Sequence, residues 1–255
     1  MEVNSYLIAV TKASLIGQIF HRKIFQVLKM EYFCLAEKES EKDKKYLKGL
    51  DVLFSSKFWY FSDEYDLTNS LQQFVNSNYS LRNKRIEYMY NSNWIDDFLK
   101  LKAYEWITGF ISGFISIGFT HVGASSSCDI ALITRRDKRR QGKRWIIRGC
   151  DFDGNSANTA ETEMILLTEQ QGKEHLFSYV QLRGSMPFIW KQTPDLKWSP
   201  KVTIHPSDKL NSDIISKNYA DIKKGYENCS LVNLVDKKGS QGRLGEYFEK
   251  MHRAT

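Results

Sequence analysis

From Trp106 to Arg183 the chain is a succession of apolar, strand-like stretches divided by short polar turns. Such a succession buries its apolar side chains as a sheet. The run Trp106 to Phe119, WITGFISGFISIGF with its tandem GFIS, reads as a buried helix end entering a core strand. Cys128–Thr134 and Arg144–Phe152 read as two further strands around a basic hairpin loop, RRDKRRQGK. Asp153-Gly154 is a turn signal leading into a third strand, Asn158–Thr168, and a Gln-Gly-Lys-Glu turn separates that strand from a fourth, Leu176–Arg183. Short connections join antiparallel neighbours, so the expected class is α+β, with a mostly antiparallel sheet and peripheral helices.

Around this block the pattern is more mixed. Tyr6–Val10 alternates as a strand does, and Ala13–Leu28 reads as a strand or a short helix. Residues 37–48, EKESEKDKKYLK, are almost wholly charged and read as a solvated loop or insertion. Val52–Ser62 is aromatic and strand-like. Asp66 to Asn69 supplies a helix N-cap, with Leu67, Leu71 and Phe74 at helical spacing. Asn76 to Asn93 is polar and rich in Asn, Ser and Tyr, and Trp94–Trp106 looks helical with Ile95, Phe98, Leu99 and Leu101 on one side. Met186-Pro187 and Thr193-Pro194 break regular structure, Leu231–Val235 reads as a short strand, and Gly242–His252 begins a helix.

Composition limits the classes open to the chain. With 255 residues and 42% hydrophobic content it can build a true core, burying about 70–75% of its unfolded surface. The apolar run ending at Phe119 is shorter than the roughly 20 residues of a membrane span; its Gly109 and Gly113 mimic a helix-dimerisation spacing that Gly118 leaves. MEVNSYLIAV has neither a basic n-region nor a small-residue cleavage site. Cys34, Cys128, Cys150 and Cys229 form no C-x-x-C pair, and the five histidines show no ligand spacing, so neither a zinc site nor a disulfide framework is expected. A cytoplasmic setting follows, with no cofactor and no metal. A net charge of +7 favours an anionic partner. Its densest source is Arg135, Arg136, Lys138, Arg139, Arg140, Lys143 and Arg144, a candidate contact with anionic lipid or else a solvated turn. No nucleic-acid motif accompanies it, so no nucleic-acid partner is expected. Asp151, Asp153 and Asn155 resemble part of a calcium loop, but Gly154 stands too early and no glutamate closes it. A hairpin turn accounts for them.

Several segments carry a family resemblance, in order. Arg148, Gly149, Asp151, Gly154, Ala157, Asn158, Glu161, Thr162 and Glu163 resemble the RG-x-D-x-x-G-x-x-AN-x-VETEQ signature of the Sac phosphoinositide phosphatases, with Ala160 and Met164 in place of its Val and Gln. Val180, Gln181, Arg183, Gly184, Ser185, Pro187, Trp190 and Gln192 resemble the family's VQ-x-RGS-x-P-x-x-W-x-Q. Tyr60–Ser62 with Tyr65–Leu71 resembles its YFS…YDLT-x-SLQ, and Tyr6–Gly17 its YLI-x-VT strand. Asn233, Leu234 and Val235 with Lys238, Gly239 and Ser240 resemble its NLV-x-x-KGS, Gln241 standing where Glu is common.

The resemblance implies removal of phosphate from phosphatidylinositol phosphates through a cysteinyl-phosphate. That step needs a thiolate whose pKa is pulled far below about 8.5, a cup of backbone N–H groups, and an arginine to grip the phosphoryl oxygens. The family meets these needs with a C-x5-R loop. Six residues beyond Cys34, Cys128, Cys150 and Cys229 stand Ser40, Thr134, Ser156 and Val235, and Arg135 follows Cys128 one place too late. No catalytic residue is therefore assigned. The expectation is a partial Sac domain over residues 1–255, an N-terminal subdomain and the start of the catalytic part, cut before the nucleophile loop. Its partners would be a phosphoinositide-bearing membrane surface and the missing catalytic half, its place peripheral on endomembranes. Glu161 and Glu163, alternating on one strand face, would be an acid/base pair or structural contacts to that half. The alternative is a non-catalytic adaptor, or pseudo-phosphatase, binding membrane or protein.

Overall fold

The structure, a computed structural model, describes residues 4–76, 85–122, 126–170, 173–193, 200–226 and 228–254. The chain divides into two compact units, one of Met1–Arg135 with Thr162–Gln181, the other of Arg136–Glu161 with Leu182–Thr255.

The first unit is built on a sheet whose seven strands lie in sequence order: β1 (Tyr6–Ile19), β2 (Arg22–Cys34), β3 (Trp59–Phe61), β4 (Phe110–Val122), β5 (Ser126–Arg136), β6 (Ala160–Gln170) and β7 (Lys173–Arg183). β1 to β5 pair antiparallel. This is the expected α+β class. Ala13–Leu28 resolves into the ends of two long strands joined by a two-residue turn, Phe20-His21, both at positive φ. A hairpin turn with both central residues left-handed ordinarily recruits Asn-Gly, so this one carries no turn signal.

The charged stretch at 37–48 is not a solvated loop. Ser40 and Asp43 form a reciprocal capping box, and α1 follows over Glu41–Phe54. Phe54 is buried, and Leu50 packs partly buried beside it against Val27, Met30, Trp59 and Phe110. Consequently Val52–Phe54 ends a helix, and the strand expected over Val52–Ser62 shrinks to β3. A second cluster, Ile24, Tyr60, Tyr65, Leu67, Leu71, Ile111, Ile133 and Ile165 among others, fills the other part of this unit. Trp94–Trp106 is not one helix: α3 covers Asp96–Lys100, a 3-10 turn covers Tyr104–Trp106, and Leu101 is exposed. The helix expected from Asp66 starts later, as α2 (Leu71–Asn76). Asp66 instead accepts from the Thr68 amide and hydroxyl and from Asn69, fixing a turn.

The second unit pairs two helices with a small ribbon. β8 (Trp190–Gln192) lies antiparallel to β9 (Val202–Ile204). α4 (Asp208–Gly225), capped by Ser207, and α5 (Gly239–Ala254) pack Ile215, Leu244 and Met251 onto Phe188, Trp190 and Val202. α4 has no counterpart in the sequence reading. Arg144–Phe152 is not a strand but a chain of turns, bridged once at Cys150 and Ser156. Leu231–Val235 is likewise irregular and mostly exposed. The Gln-Gly-Lys-Glu turn and Pro194 fall wholly or partly outside the described residues.

Candidate functional site

Many of the motif residues gather into two buried knots, one in each unit. In the first, Arg135 and Glu163 are both fully buried and meet at 2.7 Å, Nη2 to Oε2. Arg135 also donates to the carbonyls of Leu67 and Asn69. Glu163 Oε1 accepts from the Leu71 amide and the Ser178 hydroxyl, each at 2.7 Å. The YDLT-x-SLQ segment is thereby clamped to β5, β6 and β7. A buried carboxylate and guanidinium with their remaining valences met this fully are locked together, and removal of either would leave an uncompensated charge. Thr162, on the opposite face of β6, shares a hydroxyl hydrogen bond with Thr134 at 3.1 Å. Gln181 is exposed.

The second knot is the Arg148–Asn158 loop. Gly149 has φ +65°, and a Cβ there would lie 2.7 Å from the Phe188 carbonyl. Its N–H donates to Ser185 Oγ at 2.9 Å. Asp151 accepts from the amides of Asp153 and Asn155 and from the Asn155 side chain, so the apparent calcium ligands close an Asx turn. Gly154, at φ +87°, presses on the α4 backbone at Asn218, whose Nδ2 donates to its carbonyl at 2.8 Å. Gly184 passes close to Ser156 and Thr159, and Pro187 is buried. Arg183 is exposed. Arg148 lies over the Trp190 ring at 5.5 Å and reaches Gln192, which in turn donates to the Pro200 carbonyl. Burial and the nearby Arg144 push the Arg148 guanidinium below its ordinary value. Arg148 and Arg140 each keep a buried Nε–H with no hydrogen-bond partner among the described residues.

Glu161 is also fully buried, in the second unit, and accepts from the Tyr226 hydroxyl. In the NLV-x-x-KGS segment, Asn233 caps the Val235 amide, Lys238 is exposed, and Gly239 sits at φ +62° at the start of α5. Asn218, Tyr226 and Ser178 carry these networks without any sequence signal beyond being polar residues inside apolar patterns.

The basic stretch does not act as one patch. Arg135 belongs to the first knot and is fully buried, so it cannot meet a lipid surface. Arg139 is held by Asp137 and by Asp221 at 2.8 Å. Arg140 turns inward to donate to the Arg148 carbonyl. Arg136, Lys143 and Arg144 are exposed, and Lys138 is half-buried.

Neither buried cysteine is poised as a nucleophile. Cys128 sits inside β5 and Cys150 in the second knot. Burial pushes the Cys150 thiol up to about 11, the opposite of what thiolate chemistry needs. Among the described residues no helix is long and apolar enough to cross a membrane.

The Sac motif residues, in the expected order, thus have internal structural roles in each unit, and the chain belongs to the SacI homology domain family, matching it over residues 1–255. It is 32% identical to phosphoinositide phosphatase SAC7 of Arabidopsis thaliana, over 96% of this chain and 42% of that protein. It is 30% identical to phosphatidylinositol-3-phosphatase SAC1 of Saccharomyces cerevisiae, over 92% of this chain and 38% of that protein. To the phosphatidylinositol-3-phosphatase SAC1 of Drosophila melanogaster it is 32% identical, over 84% and 36% respectively. The chain thus spans about two fifths of the length of the curated relatives it matches.

Proposed function

We propose that these 255 residues form the scaffold portion of a phosphatidylinositol phosphate phosphatase, holding substrate-bearing membrane and the catalytic segment in register without supplying the nucleophile. The carrying observation is that the motif carboxylates most suggestive of catalysis, Glu161 and Glu163, are fully buried and spent on internal partners, Tyr226 and Arg135. The relatives named as phosphatases supply the substrate class, the phosphoinositides. Lys143 and Arg144 are the exposed cations of this stretch that we place against an anionic bilayer. The working place of such a protein is the membrane face that displays phosphoinositides.

The test is phosphate release from phosphatidylinositol monophosphates by the purified chain. None above the buffer blank is expected. Turnover abolished by Cys150→Ser or Cys128→Ser would sink this reading. A second outcome, vesicle binding without any hydrolysis even when a C-x5-R segment is supplied in the same polypeptide, would favour the adaptor reading.

A further inference from the structure

The Lys143–Ile147 segment is a tight turn with its most apolar residues at the tip. The amides of Ile146 and Ile147 both donate to the Lys143 carbonyl, at 2.8 and 2.9 Å. Trp145 and Ile146 then point outward, 62% and 54% exposed. Lys143 and Arg144 immediately precede them, exposed and with no acidic partner among the described residues. Ordinary surface turns avoid this pairing of a large aromatic with a branched aliphatic, because both lose free energy in water.

The turn is also held still. Asn158 Oδ1 accepts from the Gly142 amide at 3.2 Å, and Asn158 Nδ2 donates to the Ile147 carbonyl at 3.3 Å, so one side chain clips both ends. Asn158 does this from φ +54°, a conformation that asparagine tolerates better than most residues. Gly142 lets Ile147 close against it, since a Cβ there would lie 2.3 Å from Ile147 Cγ1. Gln141 Nε2 donates to the carbonyls of Asp137 and Thr159, bracing the approach. A turn fixed in this way loses little entropy when it inserts.

We infer that this turn is a membrane wedge: Trp145 and Ile146 enter the headgroup–acyl boundary of an anionic bilayer while Lys143 and Arg144 lie among the headgroup charges. Indole is the side chain best suited to that boundary, with an apolar body and a polar N–H. The flanking cations match an anionic leaflet and would repel a basic partner, which argues for lipid over a second copy of this chain of charge +7. The wedge rests on the membrane-facing reading of the basic stretch but adds to it a contact that salt cannot screen. The family motif residue Asn158 becomes, on this view, a positioning residue for insertion.

The experiment uses the full chain with vesicles of phosphatidylcholine alone or mixed with phosphatidylserine. Co-sedimentation with the mixed vesicles is expected, and a high-salt wash should leave part of it. Trp145→Ser with Ile146→Ser should lower the partition coefficient on the order of tenfold and abolish the salt-resistant part. Lys143→Gln with Arg144→Gln should remove the salt-sensitive part. Brominated phosphatidylcholine should quench tryptophan emission of the wild type, and Trp145→Phe, which still sediments, should lose that quenching. Because these side chains are exposed, circular dichroism should show all variants folded; should the double serine variant unfold, the quenching comparison alone decides. Sedimentation by the wild type without Trp145-dependent quenching overturns the wedge and spares the electrostatic reading. Failure of the wild type to sediment overturns both. Self-association through the turn in the absence of vesicles assigns the surface to a second copy and overturns the lipid assignment.

Discussion

Glu163 shows how a residue that looks catalytic can be entirely occupied. Its two oxygens serve a backbone amide, a hydroxyl and a guanidinium, all away from water. Glu163→Gln keeps the shape but leaves the Arg135 charge buried without its counter-ion. It should lower unfolding free energy by about 3 kcal/mol, read as a shifted urea midpoint with an unchanged slope. Glu161 and Glu163 illustrate the limit of pattern reading at this scale. Alternation on β6 correctly puts both on one face, yet nothing in the sequence reveals that one meets Arg135 and the other Tyr226. Those partners are 28 and 65 residues away, and long-range pairing leaves no local trace.

At the scale of elements, β4 carries the most informative glycine. Gly113 stands opposite Arg135 in the β4–β5 register, and a Cβ there would sit 1.7 Å from the Thr134 carbonyl oxygen. Gly118, five residues on, has only Ile130 Cγ2 near, at 3.9 Å. Gly113→Ala should therefore cost roughly 3 kcal/mol or abolish folding, whereas Gly118→Ala should stay within about 0.5 kcal/mol of the parent or gain slightly. Thermal melts of the two variants side by side would check the contrast. Within the β-rich block the stretches that became β5, β6 and β7 were legible as apolar runs, although a long irregular segment, not a short turn, separates β5 from β6. The misread elements each had a local cause. α1 hid behind its charge, although Ser40 and Asp43 at capping spacing and Leu47, Leu50 and Phe54 at helical spacing were present. The β1–β2 turn hid because Phe20 and His21 adopt positive φ without glycine. The 144–152 strand was a false positive: apolar Trp145 and Ile146 imitate a strand while facing water.

For the molecule as a whole, family membership was legible in the motifs, and the structure explains their composition: two separate internal clamps, each within its own compact unit. What the motifs could not disclose is which of their charges remain at the surface. The sheet's last strand, β7, raises a matter of handling. It has β6 on one side and no further strand on the other among the described strands, and Leu176, Phe177, Tyr179 and Leu182 are exposed along it. Leu176 to Leu182 contains no charge and no proline. An unprotected edge of this kind templates pairing with another chain. Concentrated solutions should scatter light increasingly with time, and Tyr179→Lys should suppress that growth while leaving the melting temperature unchanged. With one side unpaired among the described strands, β7 gives each copy of the polypeptide a place where the same segment of another copy can add.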